Sequence, residues 1–158
     1  MQESKVAEAP KRILLAVDGS DNSKRASKAA ITLAKAFGAE LSVVHVIPTL
    51  SYLSVGAAGI GSTIQNYYDQ YYEICEKQGK QWIDDTLSEA RMERVHVRGE
   101  ILHPTSSVVY SILQKAEKDH SDLIVIGTRG LGGFKKLLLG SISSGIISNS
   151  KCNVLIIR

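Results

Sequence analysis

Short apolar runs that alternate with stretches of helical period constrain this chain more than any other feature. "RILLAVD" at residues 12–18 leads at once into "GSDNSKRASKAAITLAKAFG", where Ala26, Ala29, Ala30, Leu33, Ala34 and Phe37 recur at helical spacing between a Ser20 or Asp21 N-cap and a Gly38 stop. "AELSVVHVIP" is nearly continuous in Val and Ile, the pattern of a strand buried on both faces. From Gln65 to about Met92, Tyr68, Tyr71, Tyr72, Cys75, Trp82, Ile83, Leu87 and Ala90 trace a long amphipathic helix. "RVHVRGEIL" is a weaker, more polar strand suited to a sheet edge. "HPTSSVVYSILQKAEKDH" is a helix with Pro104 near its first position and Val108, Val109, Ile112, Leu113 and Ala116 on its apolar side. "SDLIVIG" and "CNVLIIR" are two further strands, separated by a short helix over residues 141–150 with Ile142, Ile146 and Ile147 on one side. Strand and helix in strict alternation imply right-handed crossovers, hence an α/β fold with a parallel sheet covered on both faces.

Length permits this without a staple. A chain of 158 residues buries about two-thirds of its unfolded surface, and 44% apolar with 22% charged residues is the balance of a soluble globular protein. Residues 1–10 are polar or small and read as a disordered tail, leaving one domain over residues 11–158. A net charge of +3, with scattered basic residues, is too weak for a nucleic-acid partner. Two distant cysteines, Cys75 and Cys152, form no metal-ligand spacing and fit a reducing cytoplasm. No stretch is long and apolar enough for a membrane partner or a leader.

"IGTRGLGGFKKLLLGSISSG", residues 126–145, is too glycine-rich for core and follows directly on a buried strand. In open parallel sheets, ligands sit beyond the carboxyl ends of the strands, where strand order reverses. Asp18 with Gly19 and Ser20, the stretch Val46 to Pro48, and this glycine stretch all meet that condition. Gly127, Gly130 and Gly140 let backbone N–H groups approach an anion. Ser141 begins a helix, where free N–H groups and the dipole favour phosphate. Arg129, Lys135 and Lys136 add positive charge. Rival motifs fail: Gly79-Lys80 lies inside a helix and makes no P-loop. "DGSD" after the first strand is not G-x-G-x-x-G, and "GSISSG" is one residue too long for a hydrolase elbow.

Gly127-x-x-Gly130, nine residues, then Gly140-Ser141 resembles the nucleotide-binding signature of the ATP-binding branch of the universal stress protein family. The similarity runs from about Lys11 to Arg158 and includes "ILLAVDGS", "VVHVIP" and "NVLIIR". The resemblance implies a Rossmann-like sheet of five parallel strands in the order 3-2-1-4-5. It implies an adenine nucleotide, ATP, as ligand, with Mg2+ or Mn2+ carried on the phosphates. It puts Asp18 and the backbone of Val46 at the adenosine end, and Gly127, Gly130, Gly140, Ser141 and Ser143 along the ribose and phosphates. It further implies a homodimer through strand 153–158, whose apolar edge needs a partner strand or other cover, and a protein partner that the residues do not name. Asn153 stands where many members have proline, and adds a backbone donor there.

Several residues admit two readings. Asp18 is a ligand acceptor or a helix-start cap. His45 reads as a satisfied core histidine, and the group Tyr67, Tyr68, Tyr71 and Tyr72 as core or subunit packing. Residues 48–63, without a period, are a surface loop or a lid over the adenosine. Adenosine contacts would not separate ATP from AMP or a cyclic nucleotide. The alternatives to a stress or signalling regulator are a slow ATP-hydrolysing or adenylyl-transferring enzyme and a nucleotide-free dimerisation module.

Overall fold

The computed structural model describes residues 8–49, 61–103, 106–128 and 139–158, with residues 61–65 described as helix backbone alone. Five strands, β1 (Arg12–Ala16), β2 (Glu40–Val46), β3 (Val97–Leu102), β4 (Leu123–Gly127) and β5 (Asn153–Ile157), alternate with α1 (Asp21–Phe37), α2 (Gly61–Met92), α3 (Val108–Lys118) and α4 (Ser141–Asn149). The sheet is parallel in the order β3-β2-β1-β4-β5, as expected. Ile13 pairs with Leu41 on one side and Leu123 on the other.

Strand side chains alternate between two apolar layers. Ile13, Leu15, Leu41, Val43 and Val125 face α1 and α2, which supply Ala26, Ala30, Ala34, Ile83 and Leu87. Leu14, Ala16, Val44, Val46, Ile124 and Ile126 face α3 and α4, which supply Ile112, Ala116 and Ile146. Each fully buried Leu or Ile contributes about 1.5–3 kcal/mol, so the two layers, not the caps, carry the fold.

α1 lies close to the sheet because its inner stripe is small, with Ala26, Ala30 and Ala34 at or below 1% exposure. It stops at Gly38, whose φ of 64° is left-handed and whose N–H bonds the Ala34 carbonyl. Phe37, expected on the inner face, is 49% exposed, because it is the last helical residue and overhangs the layer; Ile31 fills the core instead. Ile147 likewise turns out of the α4 stripe, since only Ile142 and Ile146 keep the four-residue spacing.

Other boundaries shift. α2 begins at Gly61, so residues 61–63 of the expected loop are helix; Gly, Ser and Thr have low helix propensity, a weak local signal that the rest of a long helix overrides. α3 starts at Val108 behind the N-cap Ser107, whose hydroxyl accepts from the Tyr110 N–H. Pro104, expected near the first helical position, lies ahead of that cap and outside the described residues. The tyrosine group divides: Tyr68 is buried, Tyr71 and Tyr72 are half-buried and meet edge to face, and Tyr67 is exposed.

The two sheet edges differ. β3 carries Arg98 and Glu100, which ion-pair with Asp119 and Lys115 of the α3 end, the charged protection usual for an edge strand. β5 offers only Val154, Leu155, Ile156 and Ile157, all half-buried, beyond Asn153.

Candidate functional site

β1 and β4 are neighbours, yet the helices that leave them go to opposite faces of the sheet. Strand order therefore reverses between them, and in open parallel sheets the carboxyl ends at such a reversal are where ligand crevices form. The turn after β1 forms one wall and the start of α4 the other.

The first wall is a ring of hydrogen bonds. Asp18 Oδ1 accepts from the Ser20 N–H at 3.1 Å and the Ser20 hydroxyl at 2.7 Å. Ser20 Oγ, the N-cap of α1, accepts from the Ser23 N–H at 3.1 Å, and Ser23 Oγ accepts from the Asp18 N–H at 3.1 Å. Asp18 is thus not the cap itself but the residue that orients the capping serine. Only Oδ1 is used among the described residues, so the second carboxylate oxygen keeps its acceptor capacity. Gly19, at φ 78°, makes the turn.

The second wall is built from backbone. Thr128 is its hub: its N–H donates to the Ile157 carbonyl at 2.7 Å, and its carbonyl accepts from the Gly140 N–H at 2.8 Å and the Ser143 hydroxyl at 3.0 Å. Ser143 Oγ also reaches the Gly140 carbonyl at 3.0 Å and is 2% exposed. Its hydroxyl ties the root of the glycine stretch together. α4 begins behind Gly140, which makes no side-chain cap bond. α1 and α3 are each capped by a serine hydroxyl. The first-turn amides of α4 thus receive no side-chain bond from their own cap residue, an arrangement that suits an anion. Gly140 has φ −74° and ψ 162°, open to any residue, so glycine there withholds a side chain and satisfies no backbone demand.

Gly127 has a different basis. A Cβ on it would stand 2.9 Å from the Asn22 backbone carbon and Cβ, so its bareness lets the first turn of α1 close onto β4 and brings the two walls together. Asn22 and Thr128 escaped sequence reasoning, since neither belongs to a local pattern. Val46 ends β2, buried against the α3–α4 layer. Ser141 is the first residue of α4 and exposed. Arg129, Gly130, Lys135 and Lys136 lie outside the described residues, as does most of the expected lid.

His45 is a core histidine as expected: 6% exposed, with Nδ1 donating to the Val17 carbonyl at 2.7 Å. Burial, with a smaller contribution from Cys75, pushes the Tyr71 phenol up to about 12; it stays protonated at neutral pH and donates to the Pro48 carbonyl. A separate cleft of about 330 Å³, lined by Leu113, Ala116, His120, Ser150 and Cys152, lies at the opposite end of the strands. Among the described residues there is no cluster of three metal-ligating side chains, and no helix is long and apolar enough to cross a membrane.

The model of the universal stress protein family matches residues 10–158. Universal stress protein YxiE of Bacillus subtilis (strain 168) is 33% identical over 147 residues, which cover 93% of this chain and 98% of that protein. Among solved structures, a universal stress protein in complex with cAMP is similar with a TM-score of 0.68 at 24% identity, covering 96% of this chain and 99% of its own. The universal stress protein from Archaeoglobus fulgidus in complex with dAMP has a TM-score of 0.62 at 21% identity, covering 97% and 100%.

Proposed function

Because this chain belongs to the universal stress protein family, we propose that it binds an adenine nucleotide, with ATP as the ligand, and acts as a homodimeric regulator in the cytoplasm. One observation carries the reading. At the reversal of strand order, the start of α4, whose cap residue Gly140 has no side chain, forms the wall opposite Asp18, a carboxylate whose second oxygen has no partner among the described residues. A polyanion with a polar, hydrogen-bonding end fits both walls at once. Two similar structures were solved with cAMP and dAMP, ligands of the same chemical class.

In this reading the second oxygen of Asp18 accepts from the ribose or base, and the Val46 backbone borders the base. The amides behind Gly140 and the hydroxyl of Ser141 receive phosphate, together with Gly127, Arg129 and Gly130. Ser143 acts through its bonds to Thr128 and Gly140, as a positioning residue. A divalent ion, Mg2+ or Mn2+, arrives on the phosphates. The apolar β5 edge, unprotected by charge, takes the β5 edge of a second copy, and nucleotide binding sets the surface offered to a protein partner.

Calorimetric titration with ATP, AMP and cyclic AMP, with and without magnesium, tests it alongside Gly140→Val. The expected result is micromolar ATP binding, lost in the variant. A folded, nucleotide-free protein that binds none of the three would overturn the reading, and sedimentation showing a monomer at micromolar concentration would remove the dimer.

A further inference from the structure

Helix α2 approaches the candidate site through two glycines that are far apart in sequence. A Cβ on Gly19 would stand 2.2 Å from Trp82 Cε2 and 2.5 Å from its Nε1, so the indole lies directly against the backbone beside Asp18. A Cβ on Gly79, one turn before Trp82, would stand 2.3 Å from His45 Cδ2. The His45 and Trp82 rings meet edge to face at 5.1 Å between centroids. His45 Nδ1 in turn holds the Val17 carbonyl, the residue before Asp18. Asp18 therefore sits between two backbone points, Val17 and Gly19, that are each clamped by a ring, and both rings are held by α2. Thr86, one turn on, adds a 3.4 Å hydroxyl contact to Ser27 of α1, fixing the helix against the element that the Asp18 turn begins.

We propose that Trp82 and His45 are positioning residues for the adenosine end of the site: the ring pair fixes the Val17–Gly19 backbone, and so aims the Asp18 carboxylate at the ribose or base. They touch the carboxylate's backbone and not its oxygens, so their action is on orientation. Among the described residues, the phosphate end, rooted at Thr128 and Gly140, has no contact of this kind with α2. The inference rests on the nucleotide reading above, and separates from it by ligand. Loss of the clamp weakens ligands that carry adenosine and leaves those that are phosphate alone.

Trp82 is the single tryptophan of the chain, so it reports on the clamp directly. Wild-type protein is titrated with adenosine, AMP and tripolyphosphate, following Trp82 emission and calorimetric affinity, and the same titrations are run on Trp82→Phe, Trp82→Ala and Gly19→Ala. The expected result is a change in Trp82 emission with adenosine and AMP but not tripolyphosphate. Trp82→Ala and Gly19→Ala should lose at least fivefold in adenosine affinity, Trp82→Phe less, and tripolyphosphate affinity should hold throughout. In the double variant Gly19→Ala/Trp82→Ala, the losses should fall short of the product of the singles, because the ring that a Cβ would strike is gone; the left-handed strain at Gly19 cancels in the cycle. Equal losses for adenosine and tripolyphosphate, or no loss in a folded variant, overturn the inference while leaving nucleotide binding in place. If Trp82→Ala does not fold, silent Trp82 emission on saturation of the wild type with adenosine overturns it alone. Wild-type protein that binds none of the three ligands overturns both readings.

Discussion

The starts of α1 and α4 face each other across the same crevice and are finished in opposite ways. At α1 side chains close a ring of hydrogen bonds: Asp18 holds Ser20, Ser20 holds the Ser23 amide, and Ser23 holds the Asp18 amide. At α4 the cap position is Gly140, which has no side chain to offer the first-turn amides. A side-chain cap satisfies one first-turn amide from within the chain; a start whose cap residue has no side chain gains more from an anion. A glycine can thus be selected for the group it withholds.

The largest effect is expected where the two starts are wedged apart. Gly127→Val drives its side chain into Asn22, and should cost about 1–3 kcal/mol of stability by overpacking. Denaturant titration would give that number, and an unchanged midpoint would mean the walls are not in contact through Gly127. Converting one start into the other comes next. Gly140→Asp supplies α4 with an acceptor of its own at an unstrained φ of −74°. ATP affinity should fall at least tenfold, about 1.4 kcal/mol, while melting temperature holds or rises slightly. A melting temperature that falls with the affinity would mean the variant damaged the fold.

Removing the cap from α1 is the converse. Ser20→Ala should cost about 1 kcal/mol and lower nucleotide affinity less than Gly140→Asp does, since it frees Asp18 without adding a rival. The smallest effect lies far from both starts, where Lys35 and Glu93 pair at 2.6 Å between the ends of α1 and α2. The Lys35 ammonium holds the Glu93 carboxyl below its ordinary value. Its contribution is therefore present above the usual carboxylate range and is lost as pH falls through the lowered value. Glu93→Gln should reduce the acid dependence of melting slightly and leave nucleotide affinity alone, an exposed pair being weak and salt-screened.

The fold was legible because its evidence is local. A β1 run followed by a stripe of alanines says strand, then helix, without knowledge of anything distant. The β3 edge was readable from Arg98 and Glu100, and the placement of the crevice from strand order. What escaped depends on contacts between remote segments. Gly127 reads as a turn or an anion cradle until Asn22 is seen against it. Gly19 and Gly79 look like a turn and a weak helix position until Trp82 and His45 occupy the space of their missing side chains. Ser143 lies in a motif suited to phosphate, yet its hydroxyl is turned inward to Thr128 and Gly140. Phe37 and Ile147 were misplaced for a related reason. Periodicity assigns a face, but the length of the neighbouring layer decides whether that face has anything to cover it.

The chain between Thr128 and Gly140 departs and returns at a single 2.8 Å hydrogen bond, which makes that point a graft site. Doubling the length of a connection costs only about 0.6 kcal/mol in chain entropy, and the two attachment points are rooted in β4 and α4. A foreign peptide spliced between those two residues would be displayed at the mouth of the sheet while the five strands beneath kept their register, so the scaffold can exchange what it presents without being redesigned.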